Sequence, residues 1–343
     1  MKDYLGDPAF PDDVWAAAEP EAEGMDRAPL EAGLAHIDSQ GLGVHSLLLV
    51  RRGRIVLERY GSDEGRRLTP ADAHQVHSTT KTLTSMLIGL AISEGRLPSV
   101  DAPVVDYFEE GEIELRSPAK DRIAIGDLLT MRSGLDYEEG LPENGRIMAE
   151  EYAAKVFLSR RMVADPGTRW NYSTGDSQIL SEVLRRVTGK TPLEYARERL
   201  LEPLGIRDFE WGADRGGTQR GGTGLSMRPR DLARFGWMLL CGGRWNGAQL
   251  VPEAWLQVAT RKHVVADSGY TPGEVYGYHC WIPRFGGFAT RGYMGQNMYV
   301  LPELELLAVF TGALVPTENA DATLDDFVST YILPAVRVTA LRP

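Results

Sequence analysis

Residues 78–92 read Ser-Thr-Thr-Lys-Thr-Leu-Thr-Ser-Met-Leu-Ile-Gly-Leu-Ala-Ile. Leu83, Met86, Leu87 and Leu90 recur at helical spacing, so one face of a helix packs inward. Ile88, Ala91 and Ile92 make its last turns apolar nearly all round, which requires burial on several sides. Gly95 ends it. The remaining face, Ser78, Lys81, Thr82 and Ser85, is a polar stripe confined to the first two turns. Any fold of this chain must surround that helix and still leave its polar end facing something.

The flanking sequence suggests what surrounds it. Residues 44–60 (VHSLLLVRRGRIVLERY) alternate and break at Arg52-Gly53, the pattern of a β-hairpin. Residues 275–312 hold three more strand-like runs, VYGYHCWI, NMYVL after Gly295, and LELLAVF before Thr311-Gly312, with Pro302-Glu303 turning the last two. A helix over Thr323 to Ala335 closes the chain. Between Ser78 and about Met238 the pattern is mostly helical, and Gly216-Gly217 and Gly221-Gly222 read as a long flexible loop. The expected fold is α/β: an antiparallel sheet built from both chain ends and flanked by helices, plus a mostly helical inserted lobe. We place an N-terminal extension at 1–30 and the domain at 31–343. Its sheet lobe covers roughly 31–77 and 245–343, and its helical lobe roughly 78–244. With 343 residues the chain can bury one large core or two that share an interface. A small-molecule site belongs in the cleft between the lobes.

The polar end of the buried helix fits nucleophilic catalysis. A serine hydroxyl attacks poorly until a base removes its proton. Lys81 lies one helical turn beyond Ser78 on the same face, and partial desolvation lowers a lysine pKa toward a useful range. Free N–H groups at a helix start also stabilise an oxyanion. The bland reading of Ser78 is a capping serine with a snorkelling lysine. A second match, Ser117-Pro118-Ala119-Lys120, contains proline, opens no apolar helix and reads as a solvated loop. Tyr172, in Trp170-Asn171-Tyr172-Ser173-Thr174, precedes a helix whose stripe is Ile179, Leu180, Val183, Leu184 and Val187 and which Gly189 stops. Beside a lysine, a tyrosine loses its proton more easily and can shuttle protons to the serine. The segment Thr290-Arg291-Gly292-Tyr293-Met294-Gly295-Gln296 opens a strand, where glycines admit close backbone approach and a strand N–H can donate to an oxyanion. The alternatives are a core aromatic for Tyr172 and a bulge or hairpin corner for 290–296.

In this order the pieces resemble the serine β-lactamase and penicillin-binding superfamily, nearest its class C-like branch of esterases and 6-aminohexanoate-dimer hydrolases. The likeness covers the LLLVRRGRIVLERY hairpin, HSTTK, DLLTMRSGLDY (127–137), PGTRWNYST (166–174), GGTGLSMRPRDLARFGWMLL (221–240), YGYHCWIP and GYMGQNMYVLPE. It implies Ser78 as nucleophile, Lys81 and Tyr172 as its catalytic partners, and the backbone N–H groups of Ser78 and Tyr293 as the oxyanion hole. Thr174, Thr290, Gly292 and Tyr293 fall at positions that line the substrate. Two positions depart from the family pattern. Thr174 replaces the Asn of Tyr-x-Asn, and Thr290 replaces the Lys or His before Thr-Gly. Lactam-binding members hold the substrate amide and carboxylate with those groups. Arg291 follows Thr290, but neighbours in a strand point to opposite faces. Tyr293, Trp170 and Tyr137 either line an apolar acyl pocket or serve as core aromatics.

The implied activity is hydrolysis of small carboxylic esters or short linear amides through an acyl-enzyme. The alternatives are β-lactamase or D-peptidase activity, or a non-catalytic binding protein of the same fold. The latter has no need of Ser78, Lys81 and Tyr172 together. A G-x-S-x-G elbow is absent from the sequence. His74 and His77 lack a second ligand cluster, so no metal or other cofactor is expected, and His77 reads as a packing residue. A net charge of -11 argues against nucleic acid. No run is long enough to span a bilayer. Met1 to Trp15, with Asp3, Asp7, Asp12 and Asp13, does not read as a secretory signal. The expected compartment is the cytoplasm, with Cys241 and Cys280 as reduced, partly buried thiols.

Overall fold

A computed structural model describes residues 9–11, 14–266, 273–314 and 320–337. The acidic positions Asp3, Asp7, Asp12 and Asp13 lie outside the described residues. Val44–Arg51 (β1) and Arg54–Tyr60 (β2) form the expected hairpin. Toward the other end come Val264–Ala266 (β3), Glu274–Tyr276 (β4), Trp281–Ile282 (β5), Phe288–Thr290 (β6), Met298–Leu301 (β7) and Leu306–Gly312 (β8). These strands make one antiparallel sheet in the order β3-β4-β5-β6-β7-β8-β1-β2, so the N-terminal hairpin adds directly onto the last strand. The sheet is thus assembled from both chain ends.

Every residue of β1 and of β8 is buried, which differs from the alternation read in 44–60. The reason is a cover on both faces. Leu47, Leu49, Tyr299 and Phe310 pack with Leu30 and Ile37 of Arg27–Gln40 (α1) and with Leu324 and Val328 near the C-terminus. On the opposite face, Leu48, Val50, Met298, Val300 and Val309 share an apolar cluster with three helices, Thr80–Ser93 (α2), Thr174–Thr188 (α3) and Pro229–Leu240 (α4). Ala320–Phe327 (α5), continued by a wide turn over Val328–Ile332, is the expected closing helix. All residues of α2 from Thr80 to Ala91 are buried, as its composition requires. Truncating one of its central leucines, such as Leu87, costs about 2–5 kcal/mol.

Three local expectations are corrected. VYGYHCWI is not one strand. After β4 the chain turns, with Gly277 N bonding Cys280 O and His279 at φ 58°, before β5 begins. In that turn Tyr278 N donates to Ala259 O and His279 N to Leu129 O, so the backbone there binds the helical part instead of a neighbouring strand. Residues 291–297 do not open a strand either; they are the corner joining β6 to β7. Gly221-Gly222 is packed, not loose: a Cβ at Gly221 would lie 2.0 Å from Ser177 O.

One element went unread. His74–Gln75, Leu225–Met227 and Phe209–Trp211 form a separate three-stranded sheet, which holds the chain just before Ser78. Residues 14–26 also join the fold. Ala18 N bonds Ile55 O, Ile55 N bonds Ala16 O, and the Trp15 indole donates to Arg230 O. Among the described residues no helix is long and apolar enough to cross a membrane.

Candidate active site

The chain enters the site along the small sheet, where Val76 N donates to Leu225 O at 2.8 Å. His77 then takes φ 46°, an uncommon conformation for a residue with a Cβ, and a 3₁₀ turn over His77–Thr79 leads into α2. Ser78 sits on this corner, partly exposed. Thr79, facing inward behind it, bonds Thr290 Oγ1 at 2.9 Å and Gln296 O at 2.7 Å. Those bonds tie the start of α2 to the β6–β7 corner. Gly292 completes the contact, since a Cβ there would lie 2.4 Å from Val76 O. Only glycine lets the two backbones meet this closely.

Lys81 is 1% exposed. Its Nζ donates to Ser78 Oγ at 2.9 Å, Thr174 Oγ1 at 3.0 Å and Gly222 O at 3.0 Å. Burial penalises the ammonium and lowers its pKa to about 8, while the Glu139 carboxylate partly opposes the shift. The shift brings the neutral, basic form of the lysine within reach near neutral pH. The Tyr172 phenol touches the Ser78 hydroxyl, and Lys81 Nζ lies 4.7 Å above the Tyr172 ring. Burial, followed by the Glu139 charge, pushes the phenol pKa well above its ordinary value. This is opposite to the easier deprotonation expected from a neighbouring lysine. Desolvation of the phenolate outweighs the Ser78 hydrogen bond and the Arg291 charge, which favour it.

The structure brings Ser78, Lys81, Tyr172 and Thr174 into one cluster. Tyr293 stands at its rim, 58% exposed, with its ring edge-on to His77 at 5.6 Å. Thr290 is in contact with Thr79, not with the mouth of the site, and is 1% exposed. Arg291 is directed elsewhere, to Glu274 at 2.5 Å and Asp325 at 2.6 Å, with its guanidinium 5.0 Å over Trp281. Tyr137 packs edge-on against Phe157, while its phenol reaches Thr174 and Glu139. Trp170 belongs to an aromatic cage with Tyr172, Tyr276 and Trp281. The decoy Ser117 receives the Lys120 backbone N–H, whereas the Lys120 ammonium donates to Glu114 O. Lys120 is buried there, so the solvated-loop reading is corrected. His74 faces His45 and His77 faces Tyr293, so the two histidines diverge. Cys241 and Cys280 are free, buried thiols.

A sequence profile of the Beta-lactamase family matches residues 23–328. The chain belongs to that family. It is 25% identical over 287 residues to the 6-aminohexanoate-dimer hydrolase of Paenarthrobacter ureafaciens, covering 77% of this chain and 71% of that protein. It is 29% identical over 189 residues to the lovastatin esterase of Penicillium rubens, covering 51% and 47% respectively. A Bacillus anthracis structure provisionally named a 6-aminohexanoate-dimer hydrolase superposes with a TM-score of 0.76 at 21% identity, covering 98% of this chain and 92% of that one. The protein is a β-lactamase-related serine hydrolase.

Two members of the cluster escaped the sequence reading. Glu139 bonds Thr174 through both carboxylate oxygens, at 2.9 Å to Oγ1 and 3.0 Å to the backbone N. Its surroundings, Glu138-Glu139-Gly140, look like any exposed acidic turn. Gly222 contributes a carbonyl to Lys81. Its glycine pair was the available signal, read as looseness when it marks close approach.

Proposed function

We propose that this family member hydrolyses small carboxylic esters or short linear amides through an acyl-enzyme on Ser78. The observation that carries the reading is the 2.9 Å contact between Lys81 Nζ and Ser78 Oγ, with the lysine pKa near 8. Neutral Lys81 takes the Ser78 proton as Oγ bonds the substrate carbonyl carbon. The carbonyl π electrons move onto oxygen, and the Ser78 and Tyr293 N–H groups receive that oxyanion. Collapse of the tetrahedral intermediate breaks the bond to the alcohol or amine. Tyr172, held as a neutral phenol, protonates the leaving atom and is reprotonated from the Lys81 ammonium. Water then repeats the sequence on the acyl-enzyme, releasing the acid and restoring Ser78.

The substrate class follows from which groups are already engaged. Thr290 is occupied by Thr79, and Arg291 by Glu274 and Asp325, so neither is positioned to hold a lactam carboxylate. Glu139 adds negative charge beside Lys81. An uncharged ester or amide meets no such repulsion. A fluorophosphonate probe followed by peptide mass spectrometry tests the nucleophile. The expected adduct lies on Ser78; modification elsewhere, or none on folded protein, rejects the reading.

A further inference from the structure

The hydrogen bonds around Lys81 have a direction that is set by a side chain beyond its three direct partners. Three oxygens surround Nζ: Ser78 Oγ, Thr174 Oγ1 and Gly222 O. The Gly222 carbonyl can only accept. A threonine hydroxyl can accept or donate, so its role depends on where its own proton points. The Thr174 hydroxyl donates to Glu139 Oε1 at 2.9 Å, and the Thr174 backbone N–H donates to Oε2 at 3.0 Å. A carboxylate offers no proton in return. With its proton committed to Glu139, Thr174 Oγ1 faces Lys81 as an acceptor.

That constraint decides the geometry of the base. A neutral lysine has two N–H bonds and one lone pair. Thr174 and Gly222 accept the two N–H bonds, which leaves the lone pair directed at Ser78 Oγ, where it must remove a proton. We infer that Glu139 is a positioning residue that holds the Thr174 hydroxyl proton away from Lys81 and so aims the lysine lone pair at Ser78. Without Glu139, the Thr174 hydroxyl is free to turn and donate to that lone pair, occupying the base. The inference rests on the acyl-enzyme reading of Ser78 and Lys81. The other titratable groups facing this nitrogen are His77, Tyr172 and His279, and burial favours the neutral form of each. Tyr137 reaches the same Thr174 and Glu139 oxygens and is likewise held neutral.

The test is the pH dependence of kcat and KM for a short-chain nitrophenyl ester in Glu139→Ala, Glu139→Gln, Thr174→Ser and Thr174→Val. Active-site titration with the fluorophosphonate and thermal unfolding normalise each variant to folded enzyme. Glu139→Ala should lower kcat on the alkaline plateau about tenfold to a hundredfold, the scale of one misdirected hydrogen bond to the base, with KM little changed. Its acidic limb should also move to lower pH, because the charge that raises the Lys81 pKa is gone. Thr174→Ser keeps the hydroxyl and should retain the limb and most of the plateau. In Thr174→Val no hydroxyl remains to occupy the lone pair, so adding Glu139→Ala should cause little further loss of kcat. A full plateau rate in Glu139→Ala overturns the inference, as does an equal loss in the Thr174→Val background. Failure of the wild-type protein to label at Ser78 instead overturns the reading beneath it.

Discussion

The Gly222 carbonyl accepts a hydrogen bond from Lys81 Nζ at 3.0 Å, and a Cβ on Gly222 would lie 3.1 Å from that same nitrogen. The same Cβ would stand 2.9 Å from Thr174 Cγ2 and 3.1 Å from Ser177 Cβ. The absent side chain is therefore part of how the base is seated. Gly222→Ala should push Lys81 and Thr174 aside, lowering kcat by at least tenfold while destabilising the fold by about 1–3 kcal/mol, as overpacking does. Steady-state kinetics and thermal unfolding of one preparation separate the two effects. Wild-type kcat in the alanine variant would show that the packing around Nζ is loose.

The pH profile follows from the lysine. Its folded pKa, near 8, lies below the ordinary 10.5 because burial penalises the ammonium. The catalytic form is the neutral one, so kcat/KM should rise with pH through about 8 and level off above it. Below that limb the slope should approach tenfold per pH unit, as for a single ionisation. A profile flat from pH 6 to 9 would remove Lys81 as the base. Tyr172 should add no limb in this window, because burial raises its pKa above the ordinary value.

Ser78→Ala should abolish hydrolysis, a loss of about three orders of magnitude or more, and leave thermal stability close to wild type. Ser117→Ala, at the other Ser-x-x-Lys match, should leave kcat/KM within about twofold. Its hydroxyl receives the Lys120 backbone N–H, and the Lys120 ammonium is turned to Glu114 O. Reversed effects would move the nucleophile.

The reach of the sequence is seen in which residues signalled locally. Ser78, Lys81 and Tyr172 stand out because each breaks an apolar or helical pattern, and the structure brings all three together. The buried helix and the hairpin were legible because hydrophobic period reports burial. Glu139 was not legible, because an exposed acidic turn looks the same in sequence whether or not its carboxylate also bonds Thr174. Thr290 and Arg291 engage different partners, Thr79 for the one and Glu274 with Asp325 for the other. What hides in the sequence is their engagement, since Asp325 and Thr79 are brought to them only by the sheet order and the β6–β7 corner. The fully buried β1 misled in the same way, because covers on both faces come from helices distant in sequence.

Lys81→Ala and Tyr172→Phe should each reduce kcat by about a hundredfold or more. The two groups meet over one serine: Nζ lies 2.9 Å from Ser78 Oγ and 4.7 Å from the Tyr172 ring centre. Residues that act as a unit lose their function together, so the double variant should be little worse than either single one. Multiplicative losses across the cycle would mean that the two residues act in separate steps without a shared proton path.

Substrate choice is the most exposed prediction. A short-chain nitrophenyl ester should be hydrolysed with a kcat/KM at least a hundredfold above that for a chromogenic cephalosporin. A cephalosporin carries a carboxylate that must be held while its ring opens. Arg291, in the β6–β7 corner, is a poor candidate, because it is neutralised by Glu274 and Asp325 and packed over Trp281. Thr290, at the position where the family resemblance implies Lys or His, supplies a hydroxyl already bonded to Thr79. Lys81 lies in the site, but its ammonium hydrogen bonds go to Ser78, Thr174 and Gly222. Glu139, whose charge acts on Lys81, would also repel a second carboxylate, an effect that solvent around its exposed side chain screens. Glu139→Gln should therefore narrow the ester-to-cephalosporin ratio even as it slows both reactions. Equal kcat/KM values in the wild-type protein would mean that some other group binds the carboxylate, and the chain would then act as a β-lactamase proper.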